Sequence, residues 1–149
     1  MKKLFLICGL LASSFSFGAD WKYAAMGAQD EYDRGIYVDS SQYNYDKKNN
    51  SIIAWFKTES YAGYEGYRNK ITYTRAENLY QFLCVENKMR LLTYVYYDKK
   101  GDIISSSQFD SKDVEYNTVT SNTIGESLWK VACASKGKGF RYPKYQTVE

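Results

Sequence analysis

From Trp21 onward the chain alternates short apolar stretches with polar breaks, and most of those stretches carry the two-residue period of strands. Trp21–Met26 and Gly35–Asp39 are the first two, separated by a polar turn from Gln29 to Arg34. Asp46-Lys-Lys-Asn-Asn50 is a loop signal, and Ser51–Thr58 follows it as a strand. Asn78–Val85 and Met89–Tyr97 flank the short polar connection Glu86-Asn-Lys88, the layout of a hairpin. Tyr80, Phe82 and Cys84 share one face of the first of these, with Leu79, Leu83 and Val85 on the other. Apolar residues on both faces predict a central strand, at least partly covered on each side. The turn Asp98–Asp102 leads into Ile103–Phe109 and completes an antiparallel meander.

One stretch changes period. Thr123–Cys133 places Ile124, Leu128 and Val131 at i, i+4 and i+7, an apolar stripe for a helix lying on a sheet. Thr123 and Glu126 stand at capping-box spacing at its start. The predicted fold is therefore α+β: a small antiparallel sheet of about five to six strands with one C-terminal helix packed on it.

The N-terminus has a different character. Lys2 and Lys3 precede the apolar run Leu4–Ala12, and the small-residue stretch Ser13–Ala19 follows. This is the layout of a cleaved secretory signal over residues 1–19, and the run is about half of the ~20 residues that a membrane span needs. Cys8 lies inside the run after bulky Ile7, unlike a lipid-attachment cysteine. The predicted mature domain covers residues 20–134, and residues 135–149 form a tail that mixes Lys136, Lys138, Arg141 and Lys144 with Phe140, Tyr142 and Tyr145. Without the signal, Cys84 and Cys133 are the two remaining cysteines. An even pair in an oxidising compartment reads as a disulfide, here tying the helix to the central strand.

Composition narrows the chemistry. Of 149 residues, 16 are tyrosine, 1 is proline and none is histidine. Tyrosine favours strands and is enriched at contact surfaces. The absence of histidine removes the commonest general base and the commonest metal ligand. Loss of Lys2 and Lys3 lowers the net charge from +3 to about +1, far from the dense basic footprint of a nucleic-acid binder. The acid pairs Asp30 with Asp33 and Asp110 with Asp113 sit in hydrophilic turns, where a shifted, buried carboxyl is not expected. Asp98–Asp102 lacks the ligand count of a calcium loop. No catalytic residue, metal site or cofactor is predicted. The segment Tyr61-Ala-Gly-Tyr-Glu-Gly-Tyr-Arg68 stands out instead. Read as a glycine-hinged loop, it sets Tyr61, Tyr64 and Tyr67 at every third position with Arg68 beside them, a candidate binding surface.

The order of several motifs resembles the surface-adhesin protein E family. The motifs are Tyr37-Val-Asp-Ser-Ser41, Ala54-Trp-Phe-Lys57, Cys84 to Gly101 with Arg90-Leu-Leu and Tyr97-Asp98 inside it, and Gly125-Glu-Ser-Leu-Trp-Lys-Val-Ala-Cys133. The match runs from about Trp21 to Cys133. Where the family often has Pro-Gly before the helix, this chain reads Val119-Thr-Ser-Asn122. The resemblance implies an antiparallel sheet, a helix tied back by a disulfide, and a place in a Gram-negative envelope, periplasmic or on the surface. It also implies adhesion to host extracellular-matrix or plasma proteins, with dimerisation and haem binding associated with the family. With no histidine, a haem ligand would fall to a tyrosine, and haem is not carried over to this chain. The expected function is a non-enzymatic protein-binding module, with a homodimer as an open option. The alternative is a soluble periplasmic protein that sequesters a bacterial toxin or hydrolase.

Overall fold

Alternation in the middle of the chain becomes one antiparallel sheet. The computed structural model describes residues 18–26, 35–65 and 72–134. Residues 1–17 of the predicted signal, the turn at Gln29–Arg34, Tyr67, Arg68 and the basic tail therefore lie outside the described residues. The strands are β1 (Trp21–Met26), β2 (Gly35–Asp39), β3 (Asn44–Asp46), β4 (Ser51–Glu65), β5 (Thr72–Leu83), β6 (Lys88–Tyr97), β7 (Ile103–Gln108) and β8 (Asn117–Thr118), followed by helix α1 (Ile124–Ala134). The main path runs β1-β2-β4-β5-β6-β7, with β3 paired to β4 and β8 to β6. The six-strand path agrees with expectation. The two extra strands are only 3 and 2 residues long, too short to carry a periodic signal.

Register sorts the side chains. Ile52, Ala54 and Phe56 of β4 stand opposite Phe82, Tyr80 and Asn78 of β5, and Val38 of β2 stands opposite Phe56. With Ile36, these form the buried core face, and Leu128, Ala132 and Cys133 of α1 close over it. Fully burying such side chains contributes roughly 1.5–3 kcal/mol each before chain entropy is set against it. Phe56 and Phe82 meet edge to face at 5.8 Å, a favoured ring geometry.

Local chemistry fixes the ends of these elements. At the hairpin between β5 and β6 the turn takes residues 84–87, and Asn87 adopts a left-handed φ of 55° that asparagine tolerates. Val85, expected to continue the strand, lies in this turn and is 79% exposed. At the next hairpin the Asp98 carboxylate accepts from Lys100 N (2.8 Å) and Asp102 N (3.0 Å), while Gly101 supplies φ = 90°. The Asp98 oxygen is thus committed to backbone amides.

Helix α1 begins as its spacing predicts. Thr123 Oγ1 accepts from Glu126 N at 3.2 Å, and the Glu126 carboxylate returns to Asn122 N at 2.9 Å, one residue ahead of the usual box partner. Gly125 lets this first turn sit close to β6, because a side chain there would press on Met89 Sδ at 3.3 Å. At the other end Cys133 is bonded to Cys84, with Cα atoms 5.5 Å apart. The Tyr43 hydroxyl donates to the Ala132 carbonyl at 2.6 Å, satisfying one carbonyl of the last turn.

Buried Asp39 organises the entry to the sheet. Its carboxylate accepts from Asp20 N, Ser41 N, Ser41 Oγ and Gln42 Nε2, between 2.6 and 3.2 Å. A buried carboxylate without such donors would be costly, so this acid is structural.

Candidate functional site

The residues singled out as a loop do not all form one. β4 runs on through Tyr61 and Tyr64 to Glu65, and β5 begins at Thr72. Beyond a register irregularity between Glu59 and Tyr64, Tyr64 stands opposite Tyr73 and Glu65 opposite Thr72. β2 reaches only as far as Glu59, and β6 only as far as Arg75. Among the described residues, the outer ends of β4 and β5 therefore pair only with each other, as a two-stranded arm. Gly63, read as a hinge, lies within β4, where cross-strand pairing outweighs its local freedom, and Gly66 lies outside the described residues.

A row of rings starts at the base of this arm. Tyr73 stacks on Tyr96 with centroids 4.2 Å apart and planes 8° apart. Tyr96 stacks on Tyr94 at 4.6 Å, and Tyr94 meets Phe109 at 6.0 Å. Tyr94 and Tyr96 share a face because they are two residues apart on β6. The row runs from β5 across β6 to Phe109, the residue that follows β7. Its members are half-buried. Burial, reinforced by Tyr94, pushes the Tyr96 phenol above the ordinary tyrosine range. The sequence reading missed this row. Its signal was the alternation Tyr94-Val-Tyr96, which places two rings on one face.

Beside the row, between sheet and helix, lies a groove of about 140 Å³. Thr58, Asn78 and Tyr80 line it from the central strands, Ile124 and Leu128 from α1, and Tyr73 from the arm. Desolvation, with Tyr96 and Tyr73 adding to it, holds the Tyr80 phenol neutral far into the alkaline range. Among the described residues, no charged side chain lines the groove.

Among the described residues, the opposite face of the sheet has its charges already engaged. Lys57 sits over the Tyr37 ring at 4.5 Å and the Trp21 ring at 5.4 Å, and reaches Glu59 at 3.0 Å. Arg75 lies 3.7 Å from the Tyr97 ring centre and 3.4 Å from the Glu77 carboxylate. Lys57 stands opposite Glu77 and Glu59 opposite Arg75, so the four charges alternate in sign along and across the strands. Arg90 covers the Tyr116 ring at 4.2 Å, chelates Gln81 Oε1, and donates to the carbonyls of Ser111 and Val114.

Acid–base and metal chemistry find no constellation among the described residues. Asp110 accepts from Lys112 N in an exposed turn with Asp113. Asp30 and Asp33 lie outside the described residues. No cluster of three potential metal ligands is present among the described residues. Among them too, no helix is long and apolar enough to cross a membrane.

The family model for surface-adhesin protein E matches residues 23–134. The chain is also similar to solved structures of protein E from Haemophilus influenzae. One is 16% identical with a TM-score of 0.47, over 81% of this chain and 98% of that one. Crystal form II is 13% identical with a TM-score of 0.49, over 80% and 99%. The protein from a non-typeable strain is 13% identical with a TM-score of 0.46, over 82% of each. No curated protein matches the chain.

Proposed function

The chain belongs to the surface-adhesin protein E family, and from that premise we propose a non-enzymatic, exported envelope module that attaches to a host extracellular-matrix or plasma protein. Residues 1–19 are its cleaved export signal and residues 20–134 its binding domain. Tyr61, Tyr64, Tyr67 and Arg68 make the contact, together with the rings of Tyr73, Tyr96 and Tyr94.

The observation that carries this reading is the continuity of the tyrosine-bearing arm with the stacked row at its base. Aromatic rings give large contact area at low entropic cost, and tyrosine and arginine are enriched where partners dock. The opposite face supports the choice of side, because its charges are engaged within the sheet.

Immobilised matrix and plasma proteins, probed with the disulfide-bonded chain, test the proposal. Saturable capture by at least one of them is expected, and its loss in Tyr61→Ala/Tyr64→Ala. Capture that survives this double change would remove the arm from the site.

The position of Cys8 after Ile7 in the apolar run favours a second reading, a periplasmic protein that sequesters a bacterial toxin or hydrolase. Protease treatment of intact cells separates the two, since only a surface protein is degraded.

A further inference from the structure

The groove between the central strands and α1 has features that adhesion through the arm does not use. We propose that it binds one neutral pyranose ring of a saccharide.

Three properties of the groove carry the inference. First, its polar groups are of the right kind. The Thr58 hydroxyl, the Asn78 amide and the Tyr80 phenol all line it, and none makes a hydrogen bond to another described residue. Asparagine offers a donor and an acceptor side by side, and the two hydroxyls can each give or accept. That set matches neighbouring sugar hydroxyls.

Second, among the described residues no charge lines the groove, so an ionic ligand would lose its hydration without gaining a partner there. The neutral Tyr80 phenol keeps it so. A carboxylated sugar should therefore be rejected.

Third, size and walls fit a single ring. A cavity of about 150 Å³ accepts benzene, and this one of about 140 Å³ is of the same order and partly open to solvent, which leaves room for exocyclic groups. Ile124 and Leu128 present apolar surface for the C–H face of a pyranose.

A peptide fits less well. Phe56–Thr58 and Ala76–Tyr80 lie in strands paired on both sides, so their backbone groups are engaged in the ladders. An extended peptide would find no main chain to pair with. Recognition there is left to side-chain hydroxyl and amide groups. The groove is also preorganised, since its floor is the centre of the sheet and its wall is a helix held by the Cys84–Cys133 bond.

Saturation-transfer NMR on the folded, disulfide-bonded chain tests this. The probes are the methyl glycosides of galactose, mannose, glucose and N-acetylglucosamine, with glucuronate and sialic acid as charged controls. At least one neutral glycoside should take up saturation and the two acids should not. Thr58→Val and Tyr80→Phe each remove one hydroxyl and little else, and each should weaken binding about tenfold while the thermal transition stays close to wild type.

Silence from every neutral glycoside would overturn the proposal. So would equal binding of the charged sugars, undiminished binding in a combined Thr58→Val/Tyr80→Phe variant, or displacement of the sugar by an Asn- or Pro-rich peptide. Native against enzymatically deglycosylated host glycoproteins, beside polysaccharide from the producing bacterium, assigns the source of the ring. These probes carry no protein epitope, so their failure is distinguishable from failure of protein adhesion.

Discussion

Tyr64 stands opposite Tyr73 across the outer end of the β4–β5 ladder. Through Tyr73 and its stack on Tyr96, the tyrosine-rich segment is joined to the middle of the sheet rather than hung from it. The outer arm has one strand neighbour on each side fewer than the sheet below it. Rings in the row at its base, half-buried against one another, contribute to the stability of the sheet.

This difference makes a first prediction. Tyr61→Ala/Tyr64→Ala should leave the thermal transition nearly unchanged and abolish partner capture. Tyr96→Ala should instead cost on the order of 1–3 kcal/mol, because that ring is half-buried between Tyr73 and Tyr94. Paired denaturant curves and capture assays measure both. An equal stability loss in the two variants would mean that the arm is part of the core.

The disulfide supplies a second. Cys84 and Cys133 are 49 residues apart, and closing such a loop contributes about 4 kcal/mol in the chain-entropy model. Guanidinium unfolding of Cys84→Ser/Cys133→Ser, or of reduced wild type, should show a loss of roughly 2–4 kcal/mol. An unchanged midpoint would mean that core packing alone holds α1 in place.

Much of this architecture was legible because local and global signals agreed. The Thr123–Glu126 spacing marked the helix start, and the shared face of Tyr80, Phe82 and Cys84 became the core side of β5. Residues 61–65 were misread because Gly63 is an ordinary loop signal, whereas the pairing of residues 64 and 65 with 73 and 72 is set by the strand opposite. The groove was invisible for the same reason. Thr58, Asn78 and Ile124 have nothing in common along the sequence, and only the strand register and the helix position bring them together.

The helix cap carries a pH dependence at the acid end. The Glu126 carboxyl is held below its ordinary value of 4.5 by Lys130 and then by the Asn122 amide. A depressed folded pKa contributes stability that is present above the unfolded value and is lost as pH falls through the folded one. Wild type should therefore lose stability below about pH 4.5, and Glu126→Gln should lose less over the same interval. Thr123→Ala removes the other half of the box and should cost about 1 kcal/mol at neutral pH. Urea midpoints across the acid range decide both.

At the alkaline end the sign reverses, and Tyr80 is the residue that sets it. Its phenol is half-buried beside the groove, and desolvation raises its pKa above the ordinary 10.0, with Tyr96 and Tyr73 adding to the shift. The folded state thus binds this proton more tightly than the unfolded chain does. Its contribution is complete below about pH 10, the unfolded value, and fades as pH climbs toward the folded one. Titration followed by phenolate absorbance should show a late step from Tyr80, ionising last or only on unfolding. Tyr80→Phe removes the late step and should flatten the decline of stability above pH 10. A late phenol that persists in Tyr80→Phe would move the assignment to Tyr96, whose pKa burial also raises.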